Sequence, residues 1–323
     1  MKRRVFLASA LAAGLGATRP GLAQERRLSV VTGGTGGVYY PLGGGLANLL
    51  SRHVPGWQVT AEVTGGSVDN LRLVGARRAD IGFTMADASL EAARGEGQQF
   101  QGRPVNHRAL AVLYPNIMHI VTVEATGITT VAGLRGKRVS TGSAGSATEV
   151  MAFRVIEAAG LDKDRDMRRE RLGAAESTNA LKDRRIDAYF WVGGIPTAAV
   201  TDLAATPGTR IRLIDHDDVV APLTQRYGKL YTAGVSPAGS YPGQDRENTI
   251  AQVWNILVGH TEMPDDVAYN ITKVIFEHRE EWAQVHAEAR NVRLESQRQA
   301  NSPVPFHPGA LRYYAEKGVN VGS

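Results

Sequence analysis

The sequence contains no cysteine, and this excludes several kinds of site at once. None of the 323 residues is cysteine, so the protein has no disulfide bond, no zinc–thiolate centre and no cysteine nucleophile. The eight histidines form no His-Glu-x-x-His motif, a common zinc site of hydrolases. The sequence therefore predicts no metal, no cofactor and no catalytic residue. Catalytic residues that come from distant segments of the chain form no recognisable sequence motif. An enzyme therefore stays open as an alternative.

Long apolar runs are also scarce, and the longest begins near the N-terminus. Lys2, Arg3 and Arg4 precede the apolar run 5–17, and three small or apolar residues, 21–23, follow it. This pattern predicts a cleaved secretory signal over residues 1–23, which is too short to span a bilayer. Arg3 and Arg4 fit the twin-arginine export pattern, while a Sec signal with a basic start is the alternative.

The chain has little net charge once this leader is set aside. Four of the 37 Lys and Arg residues and none of the 32 acidic residues lie in 1–23, so residues 24–323 hold 33 bases against 32 acids. The overall pI of 9.5 thus reflects the leader. Nor does the chain contain a basic tract interleaved with aromatic residues. The composition therefore gives no sign of a nucleic-acid partner.

Neither of the two common nucleotide-binding motifs is present, although glycine is abundant near the N-terminus. Seven of the residues 33–45 are glycine. Gly34 and Gly36 fit the first and third positions of a dinucleotide-binding fingerprint, but Tyr39 stands at the sixth. Neither Gly-Lys pair is followed by Ser or Thr, as a P-loop requires. Glycines 43–45 are expected to allow close packing of a helix against a sheet.

Short apolar runs alternate with helical patterns through most of the chain, which is typical of α/β layers with mainly parallel sheets. The predicted strands are 28–32, 58–63, 80–85, 109–114, 118–123, 138–141, 186–192, 210–214, 231–235 and 253–258.

Two extended segments, 108–125 and 230–243, each combine strand-forming residues with a proline that would interrupt a sheet. We interpret them as connections between two lobes, 24–116 with 236–323 and 117–235. The longest helix is predicted to start near Pro264, with His278 and His286 on its packed side or rim rather than on a metal.

Three predicted strands each lead into a Gly/Ser turn and then a helical pattern, at 33–37, 65–67 and 142–146. Such turns leave free backbone N–H groups at a helix start, where an anion is favoured by about 0.3–1 kcal/mol when exposed. Two turns lie in the first predicted lobe and one in the second. Together they predict a site for a compact organic anion, although glycine is also common in βα turns for purely structural reasons.

Five motifs occur in the order found in one family of receptors. They are GGTGGVYYPLGGGLANLLS, TGGSVDNLRLV, LRGKRVSTGSAGSATEV, IDAYFWVGGIPTAAV and VPFHPGALRYYAEKG. Together they resemble the TAXI proteins, the extracytoplasmic solute receptors of one branch of the TRAP transporters. The resemblance covers about residues 28–318. It implies a periplasmic protein with the two-lobed (type II-like) periplasmic-binding-protein fold, in which hinge strands join the two α/β lobes. Its implied partners are a small organic anion or amino acid, glutamate-like or dicarboxylate, and the TRAP membrane permease subunits.

The resemblance also implies binding positions on the three turns. They are Thr35, Gly36, Tyr39, Ser67, Asn70, Ser146, Ala147 and Thr148. The sequence departs from the family pattern at Met85 and Asp87, and Ala147 replaces a usual glycine. These departures leave the exact solute open.

Side-chain chemistry suggests roles for some of these positions. The hydroxyls of Ser67, Ser146 and Thr148 could contact a carboxylate, and Asn70 offers both a donor and an acceptor. Tyr39 and Tyr40 diverge on a helix, so only one of them should face the cleft.

Three further residues belong to the prediction. Trp191 precedes the pair Gly193 and Gly194; it either forms the opposite wall of the site, in the second lobe, or is a core residue at the end of a strand. Asp87 could pair with a ligand ammonium group or cap a helix. A receptor for an ATP-driven importer or a sensor kinase would share the fold and is a second alternative.

Overall fold

The computed structural model describes residues 25–322, so the expected signal peptide, residues 1–23, lies outside the described residues. The strands are β1 (Arg26–Val31), β2 (Trp57–Glu62), β3 (Ile81–Met85), β4 (His107–Val123), β5 (Arg138–Ser140), β6 (Arg168–Glu170), β7 (Ala188–Gly193), β8 (Ile211–Leu213), β9 (Tyr231–Ser236) and β10 (Asn248–His260).

All ten strands form one mixed sheet. Its order is β2-β1-β3-β10-β4-β7-β5-β6, with β8 beside β4 and β9 beside β10. The outer pairs β1–β2, β1–β3, β5–β6 and β5–β7 are parallel, whereas the central pairs around β10 and β4 are antiparallel. Below, the first half denotes β1–β3 with the helices that follow them, and the second half denotes β5–β7 with theirs.

The central strand β4 is one continuous strand, although the sequence predicted two strands separated by a proline. β4 runs unbroken for 17 residues, with Pro115 opposite Trp254 of β10. The pairing register shifts between Trp254 and Ile256, and this irregularity accommodates a residue that has no N–H to donate. By contrast, Pro237 directly follows the end of β9. Both expected lobe boundaries fall inside strands, β4 and β9, and the division into lobes stays a prediction.

Helices cover both halves of the sheet. They are α1 (Tyr39–His53), α2 (Ser67–Gly75), α3 (Ala86–Arg94), α4 (Gly97–Phe100), α5 (Ala147–Ala158), α6 (Ala174–Lys182), α7 (Ala198–Ala204), α8 (Val220–Tyr227), α9 (Asp265–Glu277), α10 (Arg279–Ala283) and α11 (Pro308–Glu316). None of the helices within residues 25–322 combines the length and apolarity needed to cross a membrane.

The prediction of the longest helix was wrong. The helix after Pro264 ends at Glu277, and a break at His278 separates it from α10, so α1 with 15 residues is longer. Helix α1 tolerates its internal glycines because two of them touch other elements. A Cβ at Gly43 would lie 2.3 Å from Thr32, just after β1, so the expected close packing against the sheet is confirmed there. A Cβ at Gly45 would lie 3.0 Å from Trp282, so this glycine packs against helix α10 instead.

The largest apolar core crosses the sheet between the halves. It combines Met85, Ala88 and Ala92 from the first half with Met151 and Val155 from the second. Helix α3 therefore packs against α5 through buried side chains on one side of the molecule, while the glycine turns meet on another.

Candidate functional site

A cavity of about 360 Å³ lies where the two halves meet. Four strand-to-helix turns line it: β1–α1 and β2–α2 from the first half, and β5–α5 and β6–α6 from the second. Because these strand pairs are parallel within each half, their carboxyl ends and the following helix starts gather at one edge. The cavity size falls within the range typical of small-molecule sites.

The helix starts around this cavity leave backbone N–H groups free. The caps of α1, α2 and α6 carry no side-chain hydrogen bond, whereas Ser146 caps α5 by accepting from the N–H of Glu149. Gly66 at the cap of α2 has φ of 119°, a conformation that favours glycine. Four helix N-termini thus present partial positive charge to one space.

Eight of the residues predicted for binding line the cavity, and three do not. The lining includes Thr35, Gly36, Tyr39, Ser67, Ser146, Ala147, Thr148 and Trp191, but not Asn70, Asp87 or Gly194. Lining a cavity does not by itself establish binding, so their role stays a prediction.

Tyr39 is the member of the tyrosine pair that faces the cavity. It is half-buried, and its ring lies 5.2 Å from that of Phe83, while Tyr40 is exposed. The Tyr39 hydroxyl donates to Asn255 Oδ1 and accepts from Asn116 Nδ2 at 3.4 Å. Burial raises its pKa above the ordinary value of 10. The phenol therefore remains neutral and is held by the two central strands.

The three hydroxyl groups predicted to contact a carboxylate differ in their availability. Ser67 Oγ accepts from the Met85 N–H at 3.2 Å, and Thr148 Oγ1 accepts from the Val192 N–H at 3.3 Å. Each of these two hydroxyls keeps a hydrogen that it can donate. Ser146 Oγ donates to the Ser143 carbonyl at 2.7 Å and also caps α5. Its hydrogen is already used, so Ser146 serves mainly to shape the turn.

Trp191 forms the cavity wall opposite the first glycine turn. Its indole Nε1 donates to Thr197 Oγ1 at 3.0 Å, which fixes the ring. A Cβ at Gly37 would lie 2.7 Å from the ring atom Cη2. The glycine is thus needed for the tryptophan of the second half to approach the first half.

Asn70 lies behind its turn and holds it together. The side chain is fully buried, and its Nδ2 donates to the carbonyls of Thr32 at 2.6 Å and Phe83 at 2.8 Å. Its Oδ1 accepts from Thr64 Oγ1 at 2.6 Å. All the bonds that a solute would need are committed to the protein, so the expected contact is replaced by a structural role.

Asp87 is also turned away from the cavity. Its carboxylate accepts from the Ala88 N–H at 2.8 Å and from the Tyr231 hydroxyl at 2.6 Å, and it lies 3.4 Å from Arg154. Neither role considered for Asp87 is the one that the geometry shows: Asp87 lies in the first turn of α3, after the cap residue Met85, and its carboxylate is committed to Tyr231 and Arg154 rather than to a ligand ammonium group. Gly194 likewise lies outside the lining because it packs against Glu288, while Gly193 takes its place.

The turn between β6 and α6 was missed by the sequence analysis. The strand reads RRE, and its charged residues concealed the strand-turn-helix pattern seen at the other three turns. Gly173 caps α6, as Gly66 caps α2, and this was the available signal. The turn adds two exposed charged side chains to the lining, Arg171 and Glu176. Arg171 binds the buried carboxylate of Glu149 at 2.6 and 2.8 Å.

A second missed residue is Tyr114, on the cavity-lining side of β4. Tyr114 is fully buried, and its hydroxyl has no hydrogen-bond partner in the part of the chain that the structure describes. Burial, with lesser contributions from nearby Tyr39 and Glu288, raises its pKa well above 10. Unpaired buried hydroxyls are rare, so this one calls for an explanation.

Direct contacts between the halves surround the cavity. Ser143 Oγ donates to the Gly65 carbonyl at 3.1 Å, the Asp69 N–H donates to the Gly145 carbonyl at 3.3 Å, and the Ala199 N–H donates to the Gly36 carbonyl at 3.2 Å. These contacts join turns of opposite halves. The structure therefore represents a conformation in which the halves are closed over the cavity.

One group of side chains outside the cavity has the composition of a metal site. His53, His278 and Glu281 place possible ligand atoms within 4.8 Å of one another. The two imidazole rings are stacked, with centroids 3.5 Å apart, and Arg52 also binds Glu281. His286 is not part of this group, because its Nε2 lies 3.0 Å from the Pro196 carbonyl.

Comparison with known structures supports the fold. A periplasmic transporter shares 12% identity with a TM-score of 0.54, over 92% of this chain and 98% of that chain. A protein from Bordetella bronchiseptica RB50 shares 18% with a TM-score of 0.51, over 90% and 88%. A protein bound to L-arginine shares 12% with a TM-score of 0.50, over 82% and 90%.

These identities establish the fold alone, and the chain has the two-lobed α/β fold of periplasmic binding proteins. The sequence itself matches the profile of one family over residues 30–318, nearly the whole described chain. The chain belongs to the NMT1-like family.

Proposed function

We propose that this protein is an extracytoplasmic solute receptor that captures a small organic anion or amino acid between its two halves. The observation that carries the proposal is the closed cavity of about 360 Å³ onto which four helix N-termini converge. Each such terminus favours an anion by up to about 2 kcal/mol when partly buried. Their convergence favours a carboxylate held chiefly by backbone N–H groups and hydroxyls.

Closure of the halves provides the mechanism. A solute bound to the turns of one half gains further contacts when the other half closes, so the closed form is favoured by the difference in affinity. A micromolar solute supplies about 8 kcal/mol in total. Only a few hydrogen bonds join the turns of the two halves, and each contributes about 0.5–1.5 kcal/mol. Opening and closing of the halves therefore involves a free energy that the binding of such a solute can supply.

The closed receptor would deliver its solute to a membrane permease from the periplasm. The five motifs that resemble TAXI proteins support a TRAP permease driven by an ion gradient, with a glutamate-like or dicarboxylate solute. The alternatives are a receptor for an ATP-driven importer or a sensor kinase, and a periplasmic enzyme. Co-purification of tagged receptor with the permease subunits from its own membranes would favour transport and identify the type of transporter.

A thermal-shift screen tests the receptor function directly. The chain from residue 24 would be unfolded, dialysed to remove any co-purified solute, refolded, and screened against amino acids, dicarboxylates and keto acids. A solute at 100 times its Kd should stabilise the folded state by about 2.7 kcal/mol and so raise Tm. Recovery of the solute unchanged would support a receptor, whereas its conversion would favour the enzyme. No shift with any compound would contradict the proposal.

A further inference from the structure

We infer that the cavity selects a small carboxylic acid whose neighbouring carbon carries a keto or hydroxyl oxygen rather than an ammonium group, and that the Tyr114 hydroxyl binds this oxygen. The inference rests on the proposed function and narrows the class of solute. It depends on two independent observations, the balance of donors and acceptors in the cavity and the unpaired hydroxyl of Tyr114.

Hydrogen-bond donors line the cavity at its helix starts and hydroxyls. The turns supply backbone N–H groups, and Ser67 and Thr148 each retain a hydroxyl hydrogen after accepting a backbone bond. An ammonium group placed among helix N-termini would face partial charges of its own sign. It would also bury three donors of its own, which is unfavourable unless each finds an acceptor. A carboxylate and a second oxygen match these donors better.

The acidic side chains near the cavity are badly placed for a buried ammonium group. Asp87 lies outside the lining and is committed to Tyr231 and Arg154. Among the described residues of the lining, Glu176 is the one that carries a carboxylate, and it is exposed at the first turn of α6. Arg171 lines the same turn but is bound to Glu149.

Tyr114 supplies the matching group on the buried side of the cavity. Its hydroxyl is fully enclosed and unpaired within the described residues, although a phenol can both donate and accept one hydrogen bond. A buried polar group without a partner is unfavourable, and an oxygen of the solute would satisfy it. A phenol is protonated near neutral pH, so it can donate to the solute oxygen.

Two series of matched acids test the inference by isothermal titration calorimetry. One comprises 2-oxoglutarate, 2-hydroxyglutarate and L-glutamate, and the other pyruvate, L-lactate and L-alanine. Members of a series differ only at the carbon beside the carboxylate. In the series that binds more tightly, we expect the oxo or hydroxy acid to bind at least about ten-fold more tightly than the amino acid, because only the amino acid buries an unmatched charge.

The Tyr114→Phe variant tests the role of the hydroxyl. It should weaken binding of the oxo or hydroxy acid by about three- to ten-fold and leave the amino acid unaffected. The Tm without solute should not fall, because this hydroxyl has no partner to lose. Tyr189→Phe is the matched control. Tyr189 is also fully buried, but it lies away from the cavity and its hydroxyl is 3.1 Å from Thr178 Oγ1, so only Tm should decrease.

Several results would overturn the inference while leaving the receptor function intact. The amino acid could bind as tightly as its oxo analogue, especially if Glu176→Gln then abolished its binding. Tyr114→Phe could leave all affinities unchanged, or weaken all three members of a series equally. Failure of all six acids, together with a negative thermal-shift screen, would instead contradict the proposed function itself.

Discussion

The two halves of the molecule meet in two regions of opposite character. Around the cavity they touch through glycine turns, with single hydrogen bonds such as that from Ser143 to the Gly65 carbonyl. Between α3 and α5 they are joined by what we call the Arg154 cluster, formed by Asp87, Glu91, Arg154 and Tyr231. There Arg154 binds both carboxylates and the Tyr231 hydroxyl, and it is 7% exposed.

This difference indicates where the halves can separate. Opening at the cavity breaks a few hydrogen bonds to groups that water can replace, at a modest cost per bond. Opening at the Arg154 cluster would expose the shared apolar core and separate buried charges from their partners. We therefore expect the halves to pivot about the Arg154 cluster while the glycine turns move apart.

The largest expected effect follows from removal of the buried cation. Arg154→Gln leaves Asp87 and Glu91 without their charged partner, so the free energy of unfolding should fall by about 3–5 kcal/mol. Arg226→Gln makes the same change in an exposed pair with Glu157 and should cost no more than about 1 kcal/mol. Urea unfolding measures both variants. Equal losses would remove the contrast between the Arg154 cluster and ordinary surface pairs.

Acid should weaken the packed region through His107. This imidazole lies 2.7 Å from Ser89 Oγ of α3, and burial lowers its pKa from 6.5 to about 4. Between these values the unfolded chain binds the proton and the folded protein does not. The free energy of unfolding should therefore fall as pH drops from about 6.5 towards 4, by about 1.4 kcal/mol for each unit of pKa shift.

Replacement of the imidazole tests this pH dependence. His107→Gln cannot take up a proton, so its unfolding free energy should depend less steeply on pH than that of the unchanged protein. Urea titrations at several pH values from 7 to 4 measure the two slopes. Identical slopes would mean that other groups are responsible, among them His119, whose pKa burial also lowers to about 4.

The sequence allowed most strands and three of the four cavity turns to be predicted, because apolar runs followed by glycine and a helical pattern are local signals. The fourth turn was missed since β6 consists of Arg168, Arg169 and Glu170. A three-residue strand at the sheet edge can carry charged side chains that remain exposed to water. Local hydrophobicity is then no guide to its presence.

Other errors arose from contacts between distant segments. Pro115 was expected to interrupt a strand, but the irregular pairing with Trp254 on β10 accommodates it. Asp87 and Asn70 were expected at the cavity, yet their partners Arg154 and Phe83 draw them elsewhere. Tyr114 had no local signal either, since only the tertiary structure places its hydroxyl without a partner.

A methyl group added where the two halves touch should hinder closure of the cavity and so lower the affinity for solute. A Cβ at Gly36 would lie 2.9 Å from the Cβ of Ala175 in the opposite half, so Gly36→Ala should hinder closure. We expect at least about a ten-fold loss of affinity for the solute with the largest thermal shift, equivalent to 1.4 kcal/mol. Gly34→Ala is the control in the same turn, because its Cβ would meet nothing within 4 Å. Equal affinities for the two variants would show that this contact does not limit closure.

The smallest effects are expected from two buried threonines, one that lines the cavity and one that lies away from it. Thr148→Val removes a hydroxyl that lines the cavity and should weaken solute binding by about three- to ten-fold. It should lower Tm less than Thr178→Val, because the bond that it removes, from the Val192 N–H at 3.3 Å, is the longer one. Thr178→Val removes a hydroxyl that donates to the Ala199 carbonyl at 2.9 Å away from the cavity. It should lower Tm and leave affinity unchanged, because a buried acceptor loses its partner. Calorimetry measures the affinity of both variants, and thermal unfolding measures their Tm. If Thr148→Val lowered stability as much as Thr178→Val, the cavity hydroxyl would serve the fold rather than the solute.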